Sequence, residues 1–345
     1  MKIIFIIHNI TRSGGTEKAT LQLSNSFVKR GIAVEIMSIA SKEGANIFFE
    51  ISPKIIVHHI NGSGNKILNF IKIRKLVNRI SPNIIFGTGH NISFFLPFIK
   101  NEGSKSVAIE HIDFYSIPSL SQLLMKFSYP KLNGIVVLSE MAKQKIHHLS
   151  ENVIVIPNQI KLSEQKSDLL QKRILVVGRI SPEKAYERLI PIALMLQNKY
   201  PSWNIDVFGG SDDDYINVIL NLVKENKLTN LHFHPPIVRI EKEYLSSSIF
   251  LITSKFEAFG LVILEAKSYG LPVVGFRNEG TQALIKNNED GFIVINEEEA
   301  FAKLELLITD LNIRNELATN ARQNVGEYAE DKILNKWIDF IQNVI

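Results

Sequence analysis

The stretch Ile249-Phe250-Leu251-Ile252-Thr253-Ser254-Lys255-Phe256-Glu257-Ala258-Phe259-Gly260-Leu261-Val262-Ile263-Leu264-Glu265-Ala266-Lys267-Ser268-Tyr269-Gly270-Leu271-Pro272-Val273-Val274 decides the architecture. Its first five residues form a continuous apolar and β-branched run, the pattern of a strand buried on both faces. A loop follows at 254–258. The spacing then predicts a helix from about Phe259 to Tyr269, ended by Gly270 at C′ with Pro272 beyond it. Pro272–Gly275 reads as the next strand. Strand, helix and strand in this order make a parallel βαβ unit.

The same alternation extends outward in both directions. Strands are predicted at Ile174–Val177, Ile205–Phe208, Leu231–Phe233 and Phe292–Ile295, with two or three helices closing the chain. An earlier series runs through Ile3–Ile7, Val34–Ile39, Ile84–Phe86, Ser106–Ile109, Gly134–Leu138 and Val153–Ile156, with a helix over Thr16–Arg30. The polar stretch Lys161–Lys172 has no strong period and reads as a linker. The expected fold is α/β, with two Rossmann-like parallel-sheet domains at 1–165 and 166–325. Residues 326–345 are expected to form a helix crossing back to the first domain. Ligands of such sheets bind beyond the carboxyl ends of the strands, so a central cleft faced by both domains is the expected site.

Composition narrows the function classes. A length of 345 residues suits two domains. With 45% hydrophobic and 21% charged residues, the mix is that of a globular protein in water. No apolar run approaches the ~20 residues of a spanning helix. The start, Met1-Lys2-Ile3-Ile4-Phe5-Ile6-Ile7-His8, has too short an apolar run and no small-residue cleavage site, so it reads as a strand rather than a signal peptide. The absence of cysteine removes disulfides, thiolate metal sites and cysteine nucleophiles. A cytoplasmic protein is expected. Residues 1–165 carry 19 Lys and Arg against 10 acids, and the remainder 20 against 25. The basic first half therefore suits an anionic partner. Nucleic acid is disfavoured, because no aromatic stacking platform is interleaved with the cations.

Several motifs carry chemistry. Asn9-Ile10-Thr11-Arg12-Ser13-Gly14-Gly15-Thr16-Glu17 lies between a strand and a helix. Its paired glycines permit close approach of a ligand, and the helix N-terminus receives an anion. The plain alternative is a tight turn capped by Thr16. No G-x-G-x-x-G occurs; Gly62-x-Gly64 and Gly87-x-Gly89 lack the third glycine, which disfavours a nicotinamide enzyme. In Val176-Val177-Gly178-Arg179-Ile180-Ser181-Pro182-Glu183-Lys184, Arg179 and Lys184 are spaced to reach one diphosphate, Arg as a fork and Lys as a point charge. Alternatively they are two solvated cations. In the opening stretch, the amides of Phe259, Gly260 and Leu261 would be first-turn donors. Glu257 and Glu265 are acceptor-only groups suited to hydroxyls. Together these fit a sugar nucleotide; singly, a helix with two incidental glutamates fits as well. Asp212-Asp213-Asp214 sits at a helix start, where acids favour the dipole, and no metal site is expected there. Lys66–Ile80 reads as a basic amphipathic helix, suited equally to core packing with a solvated face and to peripheral contact with anionic lipid.

The Glu-x7-Glu spacing of Glu257 and Glu265, followed by Tyr269-Gly270-Leu271-Pro272-Val273-Val274, resembles the signature of retaining glycosyltransferases of family 4, which have the GT-B fold. Gly14-Gly15-Thr16-Glu17 resembles the family's Gly-Gly-x-Glu loop, and Val155-Ile156-Pro157-Asn158 the strand before its linker. Gly178-Arg179 with Lys184 resembles its Gly-Arg…Lys-Gly element, and Asp290-Gly291-Phe292-Ile293-Val294 its late strand. The resemblance implies that Arg179 and Lys184 hold the donor diphosphate and that Glu257 with the Phe259, Gly260 and Leu261 amides holds the sugar. It places Glu265 on the ribose and Gly14 and Gly15 against the diphosphate. It sets His111, in Ile109-Glu110-His111, near the transferred sugar; taken alone, His111 reads as a strand-end histidine. The expected reaction moves a hexose, with retention, from a nucleoside diphosphate sugar to a glycan or lipid-linked acceptor in surface-polysaccharide assembly, with no cofactor and no metal. Three positions depart from the family: Ala185 and Gln159 replace glycines, and Ala283 stands where an acid is usual. Rival readings are a sugar-nucleotide epimerase or hydrolase on the same fold, and a non-enzymatic two-domain sugar-binding protein.

Overall fold

The computed structural model describes residues 1–62, 66–111, 114, 117–211 and 213–344. Gly64 and Asp212, which entered the motif readings, lie outside the described residues, as do the side chains of Lys66 and Asp213. The chain forms two compact units, one of Met1–Gln159 with Glu330–Ile345 and one of Ile160–Ala329.

The first unit holds β1 (Lys2–Ile7), β2 (Ala33–Ser38), β3 (Ile56–His59), β4 (Ile84–Thr88), β5 (Lys105–Ile109), β6 (Gly134–Val137) and β7 (Val153–Val155), ordered β3-β2-β1-β4-β5-β6-β7 and paired in parallel. β1 is buried on both faces because its aliphatics supply both. Ile3, Phe5 and Ile7 join one apolar layer; Ile4 and Ile6 join the other. β3 was not predicted. It contributes only Ile56 and Val57 before two histidines, and as an edge strand it needs a partner on one side alone. His58 Nε2 lies 2.6 Å from Glu35 Oε2, which ties that edge to β2.

The Glu330–Val344 helix belongs to this unit. Its apolar stripe of Ile333, Leu334, Trp337, Phe340 and Ile341 is buried in the layer that contains Phe5. Trp337 packs edge-on against Phe86, with ring centroids 5.4 Å apart, and against Phe27 at 6.3 Å. A Cβ on Gly134 would stand 2.6 Å from the Phe340 ring, so the glycine of β6 makes room for this helix.

The second unit holds β8 (Arg173–Val177), β9 (Asn204–Phe208), β10 (Leu231–His234), β11 (Ile249–Ile252), β12 (Val273–Phe276) and β13 (Gly291–Val294), ordered β10-β9-β8-β11-β12-β13 and again parallel. Strand order reverses between β8 and β11, as it does between β1 and β4 in the first unit. Loops leaving such a pair diverge and open a crevice at the carboxyl edge of the sheet.

The unit boundaries fall at Gln159 and Ala329 rather than after 165 and 325. The stretch read as a linker is instead bonded into the second unit. Ile160 bridges Ala329, Ser163 N donates to Ser268 Oγ at 2.8 Å, and Arg322 donates to the carbonyls of Ser163, Glu164, Gln165 and Ser268. A lack of apolar period conceals this, because carbonyls rather than side chains make the contacts. Within the first unit, Gln159 Nε2 donates to Ser26 Oγ, and Ser26 Oγ lies 2.9 Å from Glu330 Oε1. The last residue before the chain leaves the first unit and the first after it returns are thus pinned to one serine.

Trp337→Ala removes the centre of the terminal helix's buried stripe. The expected cost is about 3–5 kcal/mol of unfolding free energy, read as a lowered denaturant midpoint. A change within about 0.5 kcal/mol would show that this helix is not part of the cooperative core.

Candidate active site

In the second unit the loops after β8 and β11 carry the charged residues, and backbone hydrogen bonds stitch the two together. Lys255 N donates to Glu183 O at 2.9 Å, and Thr253 Oγ1 donates to Lys184 O at 2.7 Å. Arg188 Nη1 donates to Thr253 O at 2.9 Å while its guanidinium lies 4.3 Å from the centroid of the Phe276 ring. The result is an ion pair, with Lys184 Nζ 2.5 Å from Glu257 Oε2. Both side chains are mostly buried, at 21% and 13% exposure, so this pair is more than a solvated surface contact. Arg179 differs. Its side chain is 63% exposed and is held by Glu183 at 2.7 Å, one turn away.

Ala185, where the resemblance implies glycine, is buried and adopts φ 54°, ψ 49°. The left-handed conformation costs an L-residue roughly 1–2 kcal/mol, and the surrounding bonds hold Ala185 in it. Tyr186 O–H donates to Gly178 O at 3.0 Å, and Tyr186 N donates to the Tyr215 hydroxyl at 2.9 Å. The loop geometry expected of glycine is therefore kept without it.

The helix after β11 spans Leu261–Ser268, two residues shorter at its start than predicted. Gly260 is its N-cap at φ 87°, ψ 62°, and Ile263 N turns back to Gly260 O at 2.9 Å. The left-handed glycine ends the helical path, so the amides of Phe259 and Gly260 belong to the loop and only Leu261 stands in the first turn. The far end is as predicted. Gly270 (φ 75°) follows the last turn, with Gly270 N bonded to Lys267 O and Leu271 N to Ala266 O, a Schellman closure.

Glu265 is buried, and Tyr244 O–H donates to its Oε2 at 3.0 Å. Tyr244 stacks on Tyr269 with centroids 5.2 Å apart. Burial, with the Glu265 charge beside it, holds the Tyr244 hydroxyl protonated far above its ordinary range. Two residues on, Lys267 Nζ sits 2.6 Å from Asp290 Oδ2, both buried, and donates also to Leu284 O. This buried pair fixes the Asp290-Gly291 turn against the helix that carries Glu265.

Sequence reasoning missed a third contributor, the start of the Glu279–Leu284 helix. Asn278 caps it, accepting from Thr281 N, and donates to Ser254 O at 2.8 Å. Gly280 N donates to Glu257 O at 2.7 Å. A Cβ on Gly280 would lie 2.7 Å from Phe259 O and 2.9 Å from Glu257 Cγ. The close approach of two backbones is what requires glycine, and the sequence signals were Gly280 itself and Asn278 as a helix cap.

The first unit presents its own carboxyl edge. Gly14 caps the Gly15–Lys29 helix in place of the expected Thr16, with Lys18 N bonded to Gly14 O at 3.1 Å. A Cβ on Gly14 would meet the Glu17 carboxylate, whereas one on Gly15 would meet nothing within 4 Å. His111 follows β5, and desolvation lowers its pKa to about 4, leaving a neutral imidazole near pH 7. Its neighbour Glu110 is buried; desolvation raises its pKa to about 7 despite the Tyr129 hydroxyl donating at 2.5 Å. Among the described residues no three carboxylates, histidines or cysteines gather where they could hold a metal.

Residues 13–164 match the family described as Glycosyltransferase Family 4, and residues 157–324 the one described as Glycosyl transferases group 1. Together the two matches span most of the chain, which is a glycosyltransferase. It is 28% identical to an uncharacterized glycosyltransferase of Haemophilus influenzae, covering 97% of this chain and 98% of that protein. It is 26% identical to the amylovoran biosynthesis glycosyltransferase AmsD of Erwinia amylovora, over 99% of both. It is 22% identical to a Campylobacter jejuni α-1,4-N-acetyl-D-galactosaminyltransferase named for a diphospho-undecaprenol-linked glycan, over 100% of this chain and 99% of that one. Among solved structures, HepE of Anabaena with UDP and glucose superposes with a TM-score of 0.83 at 16% identity, over 99% of this chain and 100% of the other. The fold of this glycosyltransferase is GT-B.

Two outcomes are expected. Gly280→Ala should push Glu257 and Phe259 aside and lower transfer at least tenfold, about 1.4 kcal/mol of barrier, more than it lowers the melting temperature would explain; an unchanged rate would remove Gly280 from the site. For Glu110, folding favours the protonated acid, so its stabilising contribution is complete below about pH 4.5 and is lost as pH rises through about 7. Glu110→Gln should therefore gain on the wild type, by on the order of 3 kcal/mol, between pH 5 and pH 8 in denaturant titrations. A constant difference between the two proteins would show that Glu110 is ionised throughout.

Proposed function

We propose that this glycosyltransferase moves a hexose from a nucleoside diphosphate sugar to a glycan or lipid-linked acceptor during surface-polysaccharide assembly, with retention at the anomeric carbon. The observation that carries the reading is the Lys184–Glu257 pair beside Arg179 at the β8/β11 reversal. Lys184 supplies a fixed cation for the leaving diphosphate. Arg179, exposed and loosely held, is free to swing onto it as a fork. Glu257 offers its second carboxylate oxygen to sugar hydroxyls, with Gly260 and Leu261 amides beside it, and Glu265 offers its carboxylate to the ribose. In the first unit, Gly14 and Gly15 offer backbone at a helix N-terminus, where an anion is favoured, and His111, neutral near pH 7, offers a hydrogen-bonding group rather than a cation.

In this reading the donor bond breaks as negative charge grows on the diphosphate, and Arg179 and Lys184 stabilise that charge more in the transition state than in the ground state. The acceptor hydroxyl attacks from the same face and gives its proton to the departing phosphate oxygen. No cofactor and no metal enters the step. The names of AmsD and of the C. jejuni relative support a polysaccharide or lipid-linked acceptor, and the UDP complex of HepE a nucleotide donor. Among the described residues no helix is long and apolar enough to cross a membrane. We place the enzyme in the cytoplasm, with peripheral contact at the inner membrane face and no nucleic-acid partner.

Lys184→Ala or Glu257→Ala should lower transfer by about 100-fold or more with the fold intact by circular dichroism. Full activity in either would sink the assignment. A thermal-shift panel of nucleotide sugars should stabilise the wild type by about 2.7 kcal/mol at 100 times the dissociation constant. Turnover of the stabilising donor should depend on an added acceptor; equally fast turnover without one would instead favour an epimerase or hydrolase.

A further inference from the structure

The Ser119–Ser128 helix of the first unit is amphipathic in the reverse sense. Met125 and Ser128 face inward, while Leu120, Leu123, Leu124 and Phe127, spaced as one helical stripe, are 70%, 48%, 41% and 68% exposed. Globular proteins turn such a stripe to the core, and a contiguous exposed one marks a contact surface. It does not stand alone. Phe98 is 52% exposed, and Lys131, three residues beyond the helix, places its Nζ 5.5 Å from the centre of the Phe98 ring. Phe95, 38% exposed, lies 6.2 Å ring to ring from Phe70 on the Lys66–Ile80 helix.

The Lys66–Ile80 helix itself divides the two readings its sequence left open. Ile73, Val77 and Ile80 are buried in the apolar layer with Ile4 and Ile6. Its outward side carries Lys72, Arg74, Lys75 and Arg79, all exposed. No acidic residue occurs between Glu50 and Glu102, nor anywhere in 119–131, where Lys126 and Lys131 are exposed. An apolar stripe with these cations near it is complementary to a surface that is apolar within and anionic outside. A second copy of the chain would set these cations against their own image, which like-charge repulsion opposes.

We propose that Leu120, Leu123, Leu124 and Phe127 insert into the interfacial region of an anionic lipid bilayer, with Phe98 beside them and the cations of Lys66–Ile80, Lys126 and Lys131 on the headgroups. The Ser119–Ser128 helix is thus the inserting element and Lys66–Ile80 the electrostatic one. This deepens the lipid-linked acceptor reading and rests on it for its purpose, since it would bring the first unit to where such an acceptor lies.

Vesicle co-sedimentation tests it without any sugar nucleotide, so its failure is separate from failure of the transfer reading. The full chain should bind phosphatidylglycerol–phosphatidylcholine vesicles, bind pure phosphatidylcholine weakly, and release as salt rises from ~0.05 M to ~0.5 M. Leu120→Ser with Phe127→Ser should weaken binding at least tenfold, and Lys126→Glu should weaken it separately. Both variants should keep the wild-type melting temperature and the wild-type rate on a water-soluble acceptor. Wild type that ignores anionic vesicles at low salt, or variants that bind as well as wild type, would overturn the proposal. So would a solution dimer that the Leu120→Ser, Phe127→Ser protein converts to monomer, which would give the face to a second copy.

Discussion

Lys184 and Glu257 stand 73 residues apart in the chain and 2.5 Å apart at their charged atoms. That contact is affordable only because the two loops bearing it leave adjacent strands on either side of a reversal in strand order. Taking two charges largely out of water is unfavourable, and good geometry with further hydrogen bonds is required to offset it. The stitching supplies both. Thr253, Lys255 and Arg188 hold the backbone of the two loops, while Gly280 and Asn278 hold the second loop from the other side. The pair is therefore a consequence of the sheet's topology, and the glycine and alanine conformations around it are its local conditions.

A preset cation is useful for transfer because its orientation is settled during folding rather than during reaction. In the proposed reaction an incoming diphosphate competes with Glu257 for Lys184, and the carboxylate so released is available to sugar hydroxyls. Arg179 differs from Lys184 in being exposed and paired with Glu183 instead of Glu257. The buried Lys267–Asp290 pair and the Tyr244–Glu265 bond have a different character. They hold the Leu261–Ser268 helix in place, so that Glu265 is presented from a rigid support rather than from a loop.

The two units solve one problem twice with different edges. Each has a central pair of strands where order reverses, and each places glycine-bearing loops there. The first unit adds an exposed apolar helix, Ser119–Ser128, and a basic one, Lys66–Ile80. Its terminal helix closes one face of the sheet through Trp337, leaving the opposite side to the helix that carries the exposed apolar stripe.

Period and composition by themselves determined the parallel α/β architecture, because strands buried on both faces must be continuous apolar runs and their crossover helices must be amphipathic. The residues near Glu257, Arg179 and Lys184 stood out through a family resemblance, because their spacing alone fits solvated charges equally well. β3 escaped, because an edge strand with two histidines has no apolar signature, and the linker escaped because carbonyls hold it. Only tertiary structure decided that Lys184 meets Glu257, that the helix begins at Leu261 after a left-handed glycine, and that Ala185 adopts a glycine's backbone. The outward stripe of Ser119–Ser128 belongs with these. Its spacing announces a helix with one apolar face, but which way that face turns depends on what the rest of the chain packs against it, and no local pattern encodes that.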